Sequence, residues 1–533
     1  MKIAYAQMKI SSGHPDVNTK KILHFIEEAK AQGADMIIFP PESISGQILG
    51  GEWFEESFRA ECEEYSAEIV AASKNIYVVL GMDMESFIVA KDGKHLDARK
   101  LPIKIEVAFN DGDFDHFAKL GIKLLSEPFS IDRELPAEDN DFPVIRVGFV
   151  GLQNTGKTVY TFDGASAVFN SDGEVVQIAE PFKECLNFVE LEEIDKMPAL
   201  EVPPVSETEE IYRAISYGVK NFLEQIGMKK VVVGVSGGID SAVAAALYTQ
   251  ILGAENVYLV NMPSKFNSST TKNLSEQLAK NLGCKYFVVP IQESVDWTVK
   301  QLEERGIEVS SFVKENIQAR DRSARILAAI AAAVGGGFTC NANKAESTVG
   351  YATLYGDEAG FLSALADLWK FQVFDLARYL NEKIFGREVI PQGIIDIVPS
   401  AELSTAQNVD EGKGDPLRYD YHDYLLRAFA EDNLTPEELL IWYVSSQVED
   451  NIGCKVGLVE KYFPTPEEFI ADLERWWKQF KGMGVAKRIQ SPPILAVTDL
   501  PYGATTESQN GWHFTKKYLE LKNRLLAPYS IRS

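Results

Sequence analysis

The 533-residue sequence has few cysteines and fewer basic than acidic residues. The five cysteines are scattered and none forms a Cys-x-x-Cys pair, which argues against a disulfide framework and a zinc site. With 53 basic and 78 acidic residues, the formal net charge of −25 disfavours binding to nucleic acid or an anionic membrane. Because the sequence shows neither an 18-residue apolar run nor a secretory leader, we expect a cytoplasmic protein without membrane association.

The length predicts two or three domains, because one hydrophobic core rarely serves so long a chain. Strand-like runs alternate with amphipathic segments over residues 1–190, which indicates an α/β domain. Residues 191–206 are rich in acidic residues and proline and show no apolar period, so we interpret them as a linker. A second domain should then occupy residues 207–533.

The second domain begins with the pattern of a doubly wound parallel sheet. An apolar run at 231–235 is followed by a glycine turn and an alanine-rich helix at 239–252. Strand-like runs at 257–261 and 286–291 flank another helical stretch, residues 270–282. Alternation of buried strands with helices is typical of this fold class.

The turn Ser236-Gly237-Gly238-Ile239-Asp240-Ser241 joins the first of these strands to its helix. Amide groups and a helix N-terminus converge there, which favours an anion. The glycines permit close approach of a ligand, the serines can bind phosphate, and Asp240 can hold magnesium. A glycine turn with an ordinary polar cap is the alternative that this motif alone leaves open.

This motif resembles the pyrophosphatase-type loop of the adenine nucleotide α-hydrolase superfamily, whose members split ATP into AMP and pyrophosphate. The Gly-Lys-Ser/Thr ending of the kinase-type P-loop is absent. The resemblance therefore implies an adenine nucleotide α-hydrolase-like fold and the adenylation of a carboxylate, with ATP as co-substrate and magnesium as cofactor.

Later motifs resemble those of NAD synthetases and occur in the same order. They are Glu315-Asn316-Ile317-Gln318-Ala319-Arg320-Asp321-Arg322, Asn343-Lys344-Ala345-Glu346, Gly350–Asp357, Asp367-Leu368-Trp369-Lys370, Pro399-Ser400-Ala401-Glu402-Leu403 and Lys487–Pro492. Each alone could be a surface turn or a solvated charge pair, but together they are specific. The resemblance implies ATP-dependent amidation of deamido-NAD through an adenylate, which yields NAD, AMP and pyrophosphate.

The resemblance also implies roles for individual residues. Residues expected to contact ATP are Gly234, Ser236, Gly237, Gly238, Asp240, Ser241, Asn341, Lys370 and Ser400. Residues expected to contact deamido-NAD are Asn316, Arg320, Glu346, Tyr351, Asp357 and Lys487. Asp240, Lys370 and Lys487 would be catalytic, Asp240 and Glu346 would hold Mg²⁺, and residues 399–416 would form a lid. Asn341 stands where the family usually has threonine.

The N-terminal domain resembles the nitrilase-type glutaminase that precedes the synthetase in glutamine-dependent NAD synthetases. Phe39-Pro40-Pro41-Glu42 matches its glutamate motif, but Ala98 stands at the position of the family's lysine. Residues 117–149 contain no cysteine and are fewer than a complete nitrilase domain needs. Because the thiolate carries the covalent step, we interpret the domain as a shortened α/β sandwich with a vestigial Glu42.

These observations favour a synthetase that takes ammonia directly. Ammonia supplied by a separate glutaminase partner and a non-enzymatic nucleotide-binding regulator are alternatives. A functioning glutaminase that uses Glu42 with Lys100 is another. We also expect a homo-oligomer of at least two copies.

Overall fold

A computed structural model of the chain describes residues 1–83, 85–110, 112–114, 118–133, 138, 140–502 and 509–527. The chain divides into two compact units. The first comprises Met1–Phe222 with Ala496–Asp499, and the second comprises Leu223–Leu495 with Leu500–Ser533. The domain and linker bounds given above stay a prediction.

The first unit consists of β-sheets with helices against one of them. Its elements are β1 (Lys2–Gln7), β2 (Lys9–Ile10), α1 (Pro15–Ala31), β3 (Met36–Phe39), α2 (Glu56–Ala72), β4 (Tyr77–Gly81), β5 (Phe87–Lys91), β6 (Lys94–Leu96), β7 (Ile105–Phe109), β8 (Leu120–Leu125), β9 (Val144–Gly148), β10 (Val150–Asn154), β11 (Thr158–Asp163), β12 (Ala167–Phe169), β13 (Val175–Ile178), β14 (Cys185–Glu190) and most of α3 (Glu207–Gln225). One sheet has the order β14-β1-β3-β4-β5-β6 and another β13-β12-β9-β8-β7. Strand β10 pairs with β11 and β2.

Alternation along the strands produces the layers of this unit. Ile3 and Tyr5 of β1 belong to a core shared with β8 and β9 of the second sheet. Ala4 and Ala6 point to the opposite face and share a core with helices α1 and α2. Since successive side chains of a strand point to opposite faces, one strand serves both layers. The result is the α/β sandwich that the sequence predicts.

The second unit begins with a parallel sheet of the order β17-β16-β15-β18. Its elements up to the sheet's last strand are β15 (Val231–Gly234), α4 (Ile239–Leu252), β16 (Val257–Asn261), α5 (Ser269–Leu282), β17 (Lys285–Val288), α6 (Gln292–Glu303), α7 (Ser311–Arg320), α8 (Ala328–Val334) and β18 (Gly337–Phe338). The π-helical residues Asp321–Leu327 join α7 to α8. The predicted doubly wound fold class is confirmed.

Helices form the rest of the second unit. They are α9 (Lys344–Val349), α10 (Lys370–Tyr379), α11 (Gln392–Asp396), α12 (Tyr419–Ala430), α13 (Pro436–Val444), α14 (Val448–Ile452), α15 (Leu458–Tyr462), α16 (Pro466–Lys481), α17 (Met483–Gln490) and α18 (Lys516–Leu526), with the short strand β19 (Ile494–Leu495). Their core is rich in aromatic side chains, including the buried Trp369 and Trp476. In the described parts of the chain, no helix has the length and apolarity that membrane crossing requires.

Candidate active site

The glycine turn lies between the end of β15 and the start of α4. Gly237 has a φ of +93°, and a Cβ there would lie 2.4 Å from the carbonyl oxygen of Thr271. Only glycine fits such a position without a shift of the backbone. The Ser236 N–H donates to Ser241 Oγ at 3.3 Å, and the Gly238 N–H donates to Ser236 Oγ at 3.2 Å. The turn is therefore shaped by its own serines.

Three of the predicted site residues form one buried charge cluster. The ammonium of Lys370 lies 2.5 Å from Asp240 Oδ2 and 3.7 Å from Glu346 Oε1. Asp240 lies in the first turn of α4, Glu346 in the first turn of α9, and Lys370 begins α10. Three helix N-termini thus bring together residues that are up to 130 positions apart in sequence.

Two neighbours to which the sequence assigns no role, Asn343 and Tyr419, hold this cluster in place. Asn343 donates from Nδ2 to Asp240 Oδ1 at 3.0 Å, and its own Oδ1 accepts from the Glu346 N–H at 3.1 Å. The Tyr419 hydroxyl donates to Glu346 Oε1 at 3.2 Å, and its ring lies 4.8 Å from the Lys370 ammonium. Asn343 stands inside a recognised motif, whereas Tyr419 comes from α12 and no local pattern marks it.

Burial sets the electrostatics of the cluster. Burial raises the pKa of Glu346 above its usual range, and the nearby Asp240 carboxylate adds to the rise. Burial opposes the charge of Lys370, but Asp240 and Glu346 outweigh it and raise the pKa of that ammonium. Lys370 therefore carries a fixed positive charge within a mostly buried site, where its field is weakly screened.

The carboxylates of Asp240 and Glu346 fit a magnesium ion that also binds phosphate. Both converge on one cation, and carboxylate oxygens are the ligands that Mg²⁺ takes, usually one or two together with phosphate oxygens and water. Among the described residues, no group of three or more His, Cys, Asp and Glu side chains could hold a metal without such help. A magnesium ion held jointly by these two carboxylates and by nucleotide phosphates would fit the site.

Lys487 and Asp357 both hydrogen-bond to the backbone of the loop that follows α9. Lys487 donates from Nζ to the carbonyl oxygens of Gly350 at 2.7 Å and Ala352 at 2.5 Å. Asp357 accepts from the Thr353 N–H at 2.7 Å. Burial lowers the pKa of Lys487 and raises that of Asp357. Both residues make their contacts within this loop, and among the described residues the Lys487 ammonium forms no ion pair with the carboxylates that bind Lys370.

Tyr351 connects this loop to the predicted lid, residues 399–416. Its hydroxyl donates to Asp415 Oδ1 at 3.1 Å and accepts from Gln407 Nε2 at 2.7 Å. Burial raises the pKa of Asp415, although the Ala401 N–H and Lys370 favour its charge. Asp415 and Gln407 were not recognised in the sequence, because neither falls in a motif.

The remaining predicted nucleotide contacts lie around these elements. Arg320 donates from Nε to the Leu354 carbonyl oxygen at 3.1 Å, whereas Asn316 donates to the Phe312 carbonyl oxygen of its own helix at 2.8 Å. Asn341 donates to the Gly234 carbonyl oxygen at 3.2 Å. Ser400 donates to the Gln407 carbonyl oxygen at 2.7 Å within the lid. Their contacts with nucleotides stay predictions.

In the first unit, Glu42 has a strained backbone and a shielded side chain. Its φ is +56°, and its carboxylate accepts from Ser45 Oγ at 3.2 Å. Burial raises the pKa of Glu42 to about 7. The exposed side chain of Lys100 forms no ion pair with it in the part of the chain that the structure describes.

Strand β8 ends next to Ser126, a residue that no recognised sequence motif marks. Ser126 is 2% exposed, and both its N–H and its hydroxyl donate to Asn110 Oδ1, at 2.9 and 3.2 Å. The nitrilase pattern has a cysteine as nucleophile, so a serine in residues 117–149 does not match it. Residues 117, 134–137 and 139 of that region lie outside the described residues.

Comparisons with known proteins match a different family to each of the two parts of the chain. A family model described as NAD synthase matches residues 211–456, and one described as carbon–nitrogen hydrolase matches residues 2–96. The glutamine-dependent NAD(+) synthetase of Thermotoga maritima is 27% identical over 527 residues, which covers 82% of this chain and 90% of that protein.

Solved structures show the same fold over the whole chain. A glutamine-dependent NAD(+) synthetase from Cytophaga hutchinsonii has a TM-score of 0.78 at 16% identity, covering 99% of this chain and 100% of that one. The enzyme of the same description from Acinetobacter baumannii, in complex with ADP, has a TM-score of 0.66 at 24% identity, covering 94% and 97%.

The order of the two matches defines the class of protein: a ligase in which a nitrilase-like domain precedes an adenine nucleotide-binding α/β domain. A non-enzymatic regulator is therefore not supported. More narrowly, the chain belongs to the family of two-domain NAD synthetases.

Proposed function

We propose that this chain converts deamido-NAD, ATP and ammonia into NAD, AMP and pyrophosphate through an acyl adenylate. The observation that carries the proposal is the ion pair between Lys370 and Asp240, the acidic residue of the glycine turn. It places a buried fixed cation beside the turn that is expected to hold phosphate.

In the first step, a carboxylate oxygen of the nicotinate group attacks the α-phosphorus of ATP. The bond from that phosphorus to the β-phosphate bridging oxygen breaks, and pyrophosphate leaves with its electron pair. Negative charge increases on the departing group, so a cation held in advance lowers the barrier. Lys370 has this role in the proposal, and Lys487 is assigned a second, weaker contact with phosphate.

Asp240 and Glu346 would hold magnesium in the same site. When bound, the ion would offset phosphate charge and orient the ATP. Since Lys370 Nζ lies between these carboxylates, nucleotide binding would require the ammonium to turn away from at least one of them.

In the second step, ammonia attacks the carbonyl carbon of the adenylate. The carbon–oxygen bond to AMP breaks, AMP leaves, and the nitrogen loses a proton to give the amide. Water competes for the same carbon, so the site must be closed during this step. The lid, residues 399–416, is assigned this function because Tyr351 binds its Asp415 and Gln407.

We propose ammonia as the nitrogen source because Ser126, the candidate nucleophile in the described part of residues 117–149, is not activated. Ser126 follows β8, a strand with parallel neighbours on both sides, and lies within residues 117–149, the region that contains no cysteine. Its hydroxyl is bound to the Asn110 amide, which cannot take up a proton as a base would. A serine in this setting is a poor nucleophile toward an amide.

Glutamine-dependent synthesis is the second candidate. It is favoured by the names of the relatives, which are glutamine-dependent NAD(+) synthetases. Because the chain spans about nine tenths of these relatives (90% and 91%), the comparisons do not support a separate glutaminase partner. The carbon–nitrogen hydrolase match ends at residue 96, before the segment that contains Asn110 and Ser126.

A homo-oligomer of at least two copies remains part of the proposal. Trp297 of α6 and Phe312 of α7 are 62% and 71% exposed, and large exposed aromatic side chains often mark an interface. Light scattering on the purified chain tests this point, and a monomer at micromolar concentration would contradict it.

The reaction itself is tested by its products. The chain is incubated with deamido-NAD, ATP, Mg²⁺ and ammonium chloride, and the nucleotides are separated by chromatography. We expect NAD, AMP and pyrophosphate in equal amounts. Formation of ADP and phosphate, or no NAD at all, would refute the proposed reaction.

A further inference from the structure

One buried acidic side chain attaches the lid to the start of α5. Glu402 is 2% exposed. Its carboxylate accepts hydrogen bonds from Thr271 Oγ1 at 2.6 Å, the Ser268 N–H at 3.1 Å and Asn267 Nδ2 at 3.2 Å. These donors surround a helix N-terminus, where negative charge is favoured. The carboxylate is therefore bound both by hydrogen bonds and by the field of the helix.

The backbone of Glu402 is strained. Its φ is +47°, which lies in the left-handed region that residues other than glycine, asparagine and aspartate rarely adopt. Such a conformation is unfavourable for a residue with a Cβ and persists only where surrounding contacts hold it. The three hydrogen bonds to the carboxylate supply such contacts.

Thr271, which binds Glu402, also lies directly against the glycine turn. A Cβ at Gly237 would lie 2.4 Å from the Thr271 carbonyl oxygen and 2.8 Å from its Cα, so the two backbones touch without spare room. Glu402, Thr271 and Gly237 thus form a continuous chain of contacts from the lid to the turn. Displacement of Thr271 would therefore change the backbone position of the glycine turn.

A second contact holds the lid at the neighbouring residue. Gln318, which is 1% exposed, donates from Nε2 to the Leu403 carbonyl oxygen at 3.0 Å. Gln318 and Glu402 each stand in a recognised sequence motif, but the proposed reaction gives neither residue a role of its own. The contacts explain why a glutamine and a glutamate stand at these two places.

We propose that Glu402 is a positioning residue that fixes the closed lid to α5 and thereby couples lid closure to the geometry of the glycine turn. This inference rests on the proposed function, because the lid matters only if an adenylate must be kept from water. Loss of the attachment opens the lid during the life of the adenylate. Water then attacks the carbonyl carbon, and hydrolysis returns deamido-NAD and AMP.

Three variants and one control test the role of Glu402. Glu402→Ala removes the attachment, and Glu402→Gln keeps its shape but loses its charge. Thr271→Val removes the hydroxyl that donates to Glu402. Glu411→Gln serves as the control, because Glu411 is an exposed acidic residue of the same lid that contacts Lys413 and Asn408.

Two measurements are made on each full-length variant. The ratio of AMP to NAD formed with ammonium should be about 1 in the unchanged chain and Glu411→Gln, and about 2 or more in Glu402→Ala. Glu402→Gln and Thr271→Val should each give intermediate ratios. Limited trypsin digestion should cut after Lys413 at least about threefold faster in Glu402→Ala than in the unchanged chain, because Glu411 pairs with Lys413 and the Glu411→Gln control is used only for the product ratio.

The two measurements separate failure of this inference from failure of the proposed function. If the unchanged chain forms no NAD, the proposed function is refuted, and the trypsin experiment still reports whether Glu402 holds the lid. A ratio near 1 and unchanged digestion in Glu402→Ala would overturn the inference. If Glu402→Ala does not fold, Glu402→Gln and Thr271→Val decide, and ratios equal to the control in both would also overturn it.

Discussion

The ammonium of Lys370 lies 2.5 Å from the Asp240 carboxylate, in a position where its side chain is 3% exposed. Asp240 belongs to the glycine turn, and Lys370 begins a helix 130 residues further along the chain. The pair brings a fixed positive charge to the place where the turn is expected to bind phosphate. The ammonium is also buried, so removal of Lys370 leaves the Asp240 and Glu346 carboxylates without their shared cation.

Lys370→Met should abolish most of the turnover and lower thermal stability. We expect kcat to fall about 10²-fold or more, because a charge that acts on the departing pyrophosphate is lost. Stability falls because Asp240 and Glu346 lose their shared cation. The double variant Lys370→Met/Asp240→Asn should regain part of the lost melting temperature but no activity. Near-normal turnover in Lys370→Met would contradict its assigned role.

Asp240→Asn and Glu346→Gln should each reduce AMP release by about 10²-fold or more, because hard anionic ligands for magnesium are lost. Raising the Mg²⁺ concentration should recover part of the activity if metal affinity is what the changes reduce. Glu382→Gln, at an exposed carboxylate after α10, is the matched control and should behave as the unchanged chain. Equal metal dependence in all three variants would refute the metal assignment.

Gly237→Ala should weaken ATP binding because the new methyl group would collide with the backbone of Thr271. A residue with a φ of +93° is also strained once it carries a side chain. We expect the KM for ATP to rise about tenfold or more. Gly51→Ala is the control, since Gly51 has a φ of −77° and nothing within 4 Å of an added Cβ.

Strong local patterns allowed much of the second unit to be predicted. The helix at 239–252 and the strand at 257–261 occur at the predicted residues, since each is a long apolar segment between clear turn signals. The strand expected at 286–291 ends at Val288 instead. Pro290 lacks an N–H for the sheet, and it lies just beyond this end.

Contacts made by residues far apart in sequence could not be predicted in the same way. Nothing around Tyr419 in the sequence shows that its hydroxyl binds Glu346, since the contact depends on the packing of α12 against α9. Ser126 was overlooked for another reason. The nitrilase motif is defined by a cysteine, so it does not match Ser126, the serine that follows β8.

Glu42→Gln should stabilise the chain more at pH 8 than at pH 5. Burial raises the pKa of Glu42 to about 7, while Ser45 opposes and Asp83 adds to the rise. Because the folded carboxyl keeps its proton to a higher pH than the unfolded one, stability is lost as the pH rises from about 4.5 toward 7. Glutamine removes this loss, which amounts to about 1–3 kcal/mol.

The measurement is the difference in melting temperature between Glu42→Gln and the unchanged chain at several pH values. The difference should increase with pH and level off above pH 8. A difference that does not depend on pH would show that Glu42 is not held protonated. Synthesis of NAD from ammonium should be unaffected by the change.

The nitrogen source tests the central claim most directly. NAD formation by the purified chain is followed with ammonium chloride, and separately with glutamine freed of ammonia, at saturating ATP, Mg²⁺ and deamido-NAD. The account predicts synthesis with ammonium. With glutamine, the rate should be lower by about 10²-fold or more, because Ser126 has Asn110 in place of a base. Comparable rates from glutamine, lost in Ser126→Ala or Glu42→Ala, would contradict it.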